Sequence, residues 1–397
     1  MENKKQTIIA PSYIKKFSCI GGTCEDTCCA GWHIAIDEET YKKYKKVKDK
    51  TMQARLNKEL VQKKSEISKE HVAKIKLKNG RCAFLNKEDW CDIYSQLGES
   101  YLSHTCTLYP RTINKINDTL EYSMTFSCPE ACRHILLAPE GIKFEQLKEG
   151  WQVQTISADI QLEVKGVRWQ DYLLELRSWM IELVQDRSYP LETRLYLLRK
   201  EAKKLNQIIL QGGVKKIKQT LKQLKQDRVA PNQVSYVEDE MRVSKEAIAL
   251  AKYLENFSKE KKLKSDRYMA CLKETLVGLG FDEEGQIVLE EAKMLYIKGI
   301  NQYYKPFLDE KSYILENYLV NYIFERCIPL DGDTLLESYE RMTLYYKLIR
   351  VHLVGLANHN QGLTDEKIVK FIQSFSKVFD HNDEYFKGVL EFSRYIE

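Results

Sequence analysis

The spacing of apolar positions splits the chain into a short-period first third and a helical remainder. TLEYSMTF, from Thr119 to Phe126, sets Leu120, Tyr122, Met124 and Phe126 on one face, the period-two signature of a short strand. Ile75 and Leu77 in KIKLKNG alternate in the same way, so the two segments are expected to pair as a small antiparallel ladder. After about Trp151 the period lengthens. DEKIVKFIQSFSKVF aligns Ile368, Phe371, Ile372, Phe375, Val378 and Phe379 in one stripe. Thr364 stands as N-cap, and Asp365 and Glu366 follow in the first turn, where carboxylates complement the helix dipole. SYILENYLVNYIF gives a second stripe from Ile314, Tyr318, Leu319, Tyr322 and Ile323. Both stripes read as packing faces rather than cofactor sites. Breaks fall at Gly212-Gly213, around Ala230-Pro231-Asn232 and at Pro329 with Gly332. No repeat of fixed period is present, which argues against a solenoid.

A length of 397 residues accommodates two domains, each able to bury a core. No stretch approaches the roughly 20 apolar residues of a membrane helix, so no membrane partner is expected. The basic start MENKKQTIIAPSYIKKF holds only the run IIA before Pro11 and does not read as a secretory signal. A cytoplasmic protein is expected, in a compartment where structural disulfides are rare. Net charge is only +5, but 14 Lys or Arg face four Asp or Glu between Tyr41 and Lys78. Such a face could steer an acidic partner. Apolar Leu56, Leu60 and Ile67 interleave with these lysines, so the run reads as the solvated side of packed helices. Without Cys–His zinc-finger pairing or an RNA-recognition aromatic motif, nucleic acid is not an expected partner.

Cysteine changes the picture. Nine of the eleven lie in the first 132 residues: Cys19, Cys24, Cys28, Cys29, Cys82, Cys91, Cys106, Cys128 and Cys132. Cys271 and Cys327, in helical sequence, read as small core residues. The N-terminal set sits among turn residues such as Gly21-Gly22 and Asn79-Gly80, where a packed apolar side chain is not expected. Soft thiolates on irregular loops suit zinc or an iron–sulfur cluster, and ligation adds the binding free energy such loops need to fold. Nine thiols exceed the four ligands of one site, so either two sites exist or several thiols are structural. Adjacent Cys28 and Cys29 rarely aim at one atom, which leaves one to ligate while the other packs, pairs or serves a second site. His33, His104 and His134 are possible substitutes, although each more often sits at a surface or cap. The spacing C-x4-C-x3-C-C departs from the C-x3-C-x2-C of radical enzymes, and a thioredoxin-like C-x2-C is missing. The fold class is therefore mainly α. A loop-rich cysteine metal-binding module with a small antiparallel strand pair is expected over residues 12–140, followed by an α-helical domain over 151–397.

The order CIGGTCEDTCCAGWHIAID, GRCAFLNKEDWCDIY, LSHTCTLYPR and SCPEACR resembles the cysteine-cluster domain associated with zinc or iron chelation. CEDTCCAGWHIAID in particular resembles the branch named flagellin lysine-N-methylase, and YYKPFLDEKSYILENYLVNYIFERC with YKLIRVHLVGLA extends the likeness into the C-terminal half. The resemblance implies S-adenosylmethionine-dependent methylation of flagellin lysines, with a [4Fe–4S] cluster held by the cysteine-rich part. Its cysteines map onto the nine named above. The longer gaps of the first element leave open which of them share one metal.

Methyl transfer to an amine needs a neutral lysine and a site that tolerates loss of sulfonium charge, work that tyrosine walls can do. The run Tyr303, Tyr304, Tyr313, Tyr318 and Tyr322 is one place for such a wall, with core packing its main competitor. GLGF at Gly278–Phe281 lacks a strand-turn-helix context and reads as a helix terminus rather than a nucleotide loop. An S-adenosylmethionine site is thus expected outside any Rossmann-type domain, with the cluster itself a candidate ligand for the methionine part. Against the enzyme stand a metal-stabilised helical adaptor with structural thiols and a metal carrier or redox sensor. Trp32 is the expected apolar cover of the first cysteine loop.

Overall fold

The protein is described by a computed structural model covering residues 7–32, 34–63, 68–147, 155–163, 165–228, 230, 233–234, 236, 238–260, 265–380 and 383–396. His33, Ile67, Trp151, Pro231 and Asn232, all singled out by the sequence, lie outside the described residues. Thr7–Pro11 forms β1 and Ala35–Ile36 forms β2, followed by helices α1 (Glu38–Lys45) and α2 (Lys50–Glu59). Four short strands come next: β3 (Leu60–Gln62), β4 (Ala73–Ile75), β5 (Leu77–Lys78) and β6 (Arg81–Cys82). Helices α3 (Asp92–Leu97) and α4 (His104–Leu108) lead into the hairpin β7 (Arg111–Ile116) and β8 (Thr119–Met124). Helix α5 (Pro129–Leu136) and strands β9 (Phe144–Leu147) and β10 (Ala158–Ile160) complete the mixed part. Eleven helices follow among the described residues: α6 (Leu173–Val184), α7 (Leu191–Leu210), α8 (Ile217–Gln226), α9 (Glu240–Glu260), α10 (Asp266–Gly278), α11 (Leu289–Gly299), α12 (Lys305–Lys311), α13 (Tyr313–Glu325), α14 (Leu335–Asn360), α15 (Asp365–Phe379) and α16 (Asp383–Ile396).

The strand read at Thr119 is β8, but its pairing differs from expectation. It lies in a five-stranded sheet of order β10-β7-β8-β1-β9, antiparallel to β7 and parallel to β1. Ile75 belongs to a separate sheet of order β2-β4-β3, and Leu77 pairs with Cys82 in a third. The reason is local. Asn117 takes φ 52° and, with Asp118, closes a two-residue hairpin between Ile116 and Thr119. A turn this short costs little closure entropy and gives one edge of β8 to β7, and β1 takes the other, which leaves no edge for the segment at Ile75.

Helix α15 forms as its stripe predicts, and the Thr364 side chain accepts the backbone N–H of Lys367 at its start. The stripe of α13 is in the core too, yet burial extends around the whole helix from Ile314 to Phe324. A helix apolar on one stripe can be central only if its polar residues find partners. Asn317 donates to Ala138 O at 2.9 Å, and Asn321 donates to Met124 O at 3.0 Å while accepting the Tyr13 hydroxyl. Glu316 accepts from Arg194 at 2.7 Å and from both Nε and an Nη of Arg187 at 2.9 and 2.8 Å. These bonds join α13 to the sheet, to the end of α5 and to the connection between α6 and α7.

Three apolar clusters result among the described residues, two of them extensive. The larger runs from Ile8, Leu120 and Met124 of the sheet through Ala131 and Ile135 of α5 to the helices, and includes Cys271 as expected. The smaller is built from Ile34, Ile36, Tyr44, Met52, Leu56, Ile75, Cys82 and Phe84. Leu56 and Leu60 face this smaller cluster and Lys58 between them is exposed, as the sequence indicated. Cys327 is also buried, with Ile116 and Leu173.

At the centre of the helical part, His352 donates from Nδ1 to Leu348 O at 2.7 Å and accepts from the Tyr268 hydroxyl at 3.0 Å, stacked on Phe371. Burial pushes its pKa down to about 4. The unfolded chain binds this proton more tightly, so stability is fully present above about pH 6.5 and is lost as pH falls toward 4, by about 3 kcal/mol in all. A His352→Gln variant is expected to flatten the fall of the urea midpoint between pH 6.5 and 4, whatever its offset at pH 7. Separately, Glu316→Gln leaves two arginines short of their counter-charge and is expected to cost about 3 kcal/mol in urea denaturation at pH 7.

Candidate functional site

The first cysteine loop owes its position to the polar residues inside it. Asp26 accepts from Lys377 Nζ at 2.8 Å and from Gln373 Nε2 at 2.7 Å, both on α15. Lys377 also donates to Thr27 O at 3.2 Å, and Gln373 donates to Ser127 O at 2.9 Å, next to Cys128. Glu25 pairs with Arg133 of α5, which holds its carboxyl below the usual range despite partial burial, and lies 3.6 Å from Arg267 of α10. The EDT of CEDTCC is thus the seam between cysteine loop and helices.

Glycine shapes the other end of that loop. Gly21, at φ 58°, and Gly22 lie against the Trp90 indole, where an added Cβ would fall 2.5 and 2.4 Å from ring atoms. Trp90 is therefore the cover of the CIGGTC stretch, a role the neighbouring Cys91 in KEDWC could have signalled. Trp32, the expected cover, donates from Nε1 to Cys28 O at 2.7 Å and leans on Tyr109 instead.

The nine N-terminal cysteines separate into two neighbourhoods. Cys82 is buried in the smaller core, and Cys29, Cys91 and Cys106 pack against that same core. Each of these four thiols lies within electrostatic reach of the other three. The backbone ties them as well: Cys82 N donates to Cys29 O at 2.7 Å, and Leu85 bridges to Cys91. Cys91 precedes α3, and Cys106 lies in the first turn of α4 with its N–H on the Ser103 hydroxyl. Burial, then the neighbouring sulfurs, pushes Cys82 and Cys106 up to about 12. Cys29 moves the other way, downward, because the Cys28 thiol hydrogen-bonds it and Arg81 and Lys377 are near.

The second neighbourhood centres on Cys19, which lies within reach of Cys24, Cys28 and Cys128. Cys128 sits at the N-terminus of α5, and Cys19 and Cys28 are exposed. Cys132 is one turn further along α5, fully buried, with its sulfur toward Val369 O. Cys28 joins the two groups: its thiol hydrogen-bonds Cys29 and lies within reach of Cys106 on one side and of Cys19 on the other. All eleven cysteines are free thiols, and among the described residues no three metal-binding side chains are placed to hold one ion. The donor types suit a thiophilic metal. His104 is given to Asp37 at 3.7 Å and His134 to Glu130 at 3.2 Å, so carboxylates rather than cysteines hold both rings.

The tyrosine run makes no single wall. Tyr304, Tyr318 and Tyr322 are core residues, Tyr318 being stacked on Phe126. GLGF is the end of α10, as its context indicated, and Gly278 lies so close to Gly355 of α14 that a Cβ would fall 1.9 Å from the Gly355 oxygen. A cavity of about 280 Å³ does exist elsewhere in the helical part, among α7, α9, α11 and α14.

Comparison with known proteins gives these neighbourhoods a family. The FliB lysine N-methylase C-terminal domain matches residues 177–395. The Lysine-N-methylase of Salmonella typhimurium is 25% identical over 99% of this chain and 96% of its own length, and that of Salmonella choleraesuis is 24% identical over the same shares. The Flagellar biosynthetic protein FliU of Salmonella muenchen is 33% identical over 36% of this chain and 86% of its own length. No solved structure matches. The helices that carry the cavity, and α10 and α15 that hold the cysteine loop, fall within the matched domain while α5 precedes it, and the chain belongs to the FliB lysine N-methylase family.

Proposed function

We propose that this lysine N-methylase acts on flagellin, takes its methyl group from S-adenosylmethionine, and depends on a [4Fe–4S] cluster or zinc held by its N-terminal cysteines. The observation that carries this reading is the likeness along 99% of the chain to relatives named for lysine methylation, with a flagellar protein among the matches. The ligand candidates are Cys29, Cys82, Cys91 and Cys106 for one centre, and Cys19, Cys24, Cys28 and Cys128 for a second. A metal there would supply cross-links for a region whose own core is small. Cytoplasmic residence is part of the same proposal. It agrees with eleven unpaired thiols, and no helix among the described residues is long and apolar enough to cross a membrane.

The chain's own residues have definable tasks. The substrate amine must lose its proton before it can attack, which a desolvating, tyrosine-lined surface favours. The Asp26 clamp fixes the cysteine loop against α15 and so couples any metal to the helical part.

Protein purified without oxygen is expected to be brown, with about four irons and four sulfides per filled cluster, and to methylate purified flagellin lysines in the presence of S-adenosylmethionine, read by mass spectrometry. Colourless protein with stoichiometric zinc and full activity would remove the cluster and keep the methylase. In a second test, Cys82→Ser and Cys106→Ser are expected to lower bound metal and the melting temperature together. Cys271→Ser, in the helical core, is expected to lower the melting temperature alone.

A further inference from the structure

Arg111, the first residue of β7, is a half-buried cation without a counter-ion. Its guanidinium lies 5.1 Å from the centroid of the Phe17 ring and enters no ion pair or hydrogen bond among the described residues. Other arginines near the cysteines are matched: Arg55 donates to Asp92 at 2.6 Å, Arg81 pairs with Asp89, and Arg133 pairs with Glu25. Burial pulls the pKa of Arg111 down, and the groups that oppose this are, in order, Cys19, Glu99, Tyr122 and Cys128. Of these, Glu99 is exposed and Tyr122 is a buried phenol, which leaves the two thiols as its inner neighbours. The chain brings both of them there. Phe17 has extended backbone, and Cys19 follows two residues later. Arg111 pairs with Met124 at the end of the β7-β8 hairpin, and Tyr109 bonds at 3.1 Å to Ser127, the residue before Cys128.

A guanidinium taken partly out of water is costly unless an anion offsets the lost hydration. Protonated thiols do not offset it. Four thiolates around zinc or an oxidised cubane do, because each ligating thiol gives up its proton and the assembled centre is dianionic. We propose that Arg111 is the counter-charge of a metal–thiolate centre at Cys19, Cys24, Cys28 and Cys128, with the Phe17 ring holding its guanidinium in place. The inference rests on the reading that these cysteines hold a metal. Arg111 itself ligates nothing: it is a positioning residue that acts through the sulfurs. It also sets the two cysteine groups apart, since the arginines beside Cys29, Cys82, Cys91 and Cys106 are neutralised by Asp92 and Asp89 and have no charge to spare for a metal centre.

Full-length protein loaded with zinc, and read by transfer of that zinc to a colorimetric chelator, tests the charge without any assay of activity. Cys128→Ser first identifies the zinc equivalent that belongs to this group, as the one it loses. In Arg111→Gln that equivalent is expected to bind about tenfold more weakly. Arg111→Lys keeps the charge and loses the planar fork, and is expected to bind closer to the parent than to Arg111→Gln. Circular dichroism checks that each variant is folded. The proposal is overturned if Arg111→Gln weakens that equivalent by less than about threefold. It is overturned as well if Arg111→Lys binds no better than Arg111→Gln, because the side chain then serves to pack on Phe17 and not to supply charge. The metal reading fails by a different result: a Cys128→Ser variant that holds as much zinc as the parent removes the centre and the proposal with it, whereas an unchanged Arg111→Gln beside a depleted Cys128→Ser removes the proposal alone.

Discussion

The placement of the first cysteine loop depends on one partly buried contact, Asp26 between Lys377 and Gln373. The loop from Cys19 to Cys29 contains no regular structure longer than one 3-10 turn, so it has no internal ladder to define its shape. Its position is imposed by charge from outside. With Lys377 on one carboxylate oxygen and Gln373 on the other, the loop is held to α15, and Gln373 simultaneously holds Ser127 beside Cys128. One side chain of the helical part thereby sets two cysteine-bearing segments about 100 residues apart in sequence.

The two cysteine neighbourhoods differ in how they are supported. Cys29, Cys82, Cys91 and Cys106 rest on a small core of their own, so their spacing follows from the packing of Tyr44, Phe84 and Ile93. Cys19, Cys24, Cys28 and Cys128 lie where loop, α5 and α15 meet, and their spacing follows from ion pairs. A motion of α15 would reach the loop through Lys377, at Asp26 and at Thr27 beside the CC pair. The helical domain in turn is organised around α13, whose polar residues bond to the sheet and to the end of α5. Mixed and helical parts thus share a core in which Met124 and Ile135 pack with residues of the helices.

How much of this is legible in the sequence varies with the range of the interaction. Helix α15, its Thr364 cap, the burial of Cys271 and Cys327 and the strand at Thr119 all follow from nearest-neighbour patterns, and each is where the pattern puts it. The partner of that strand is not, because alternation marks a face without naming a neighbour. The overlooked Asn117-Asp118 turn decided it. The nine cysteines are visible as a set, but their neighbours are not, since Cys28 joins Cys29 and Cys106 to Cys19 across segments far apart in the chain. Trp90 escaped notice for a similar reason: its contact with Gly21 and Gly22 spans nearly 70 residues.

The sequence by itself determined composition-level and local facts: a mainly α chain, a thiol-rich first third and capped helices with apolar stripes. These depend on residues within a turn or two of each other. Only the tertiary structure decided which thiols are neighbours, which carboxylates are matched by arginine and where tyrosines converge on open space. Glu192, Tyr236, Tyr296 and Tyr346 come from four separate segments with no shared motif. Their meeting is fixed by how helices pack, as at the Gly278–Gly355 crossing, and packing is a property of surfaces that no single stretch of chain contains.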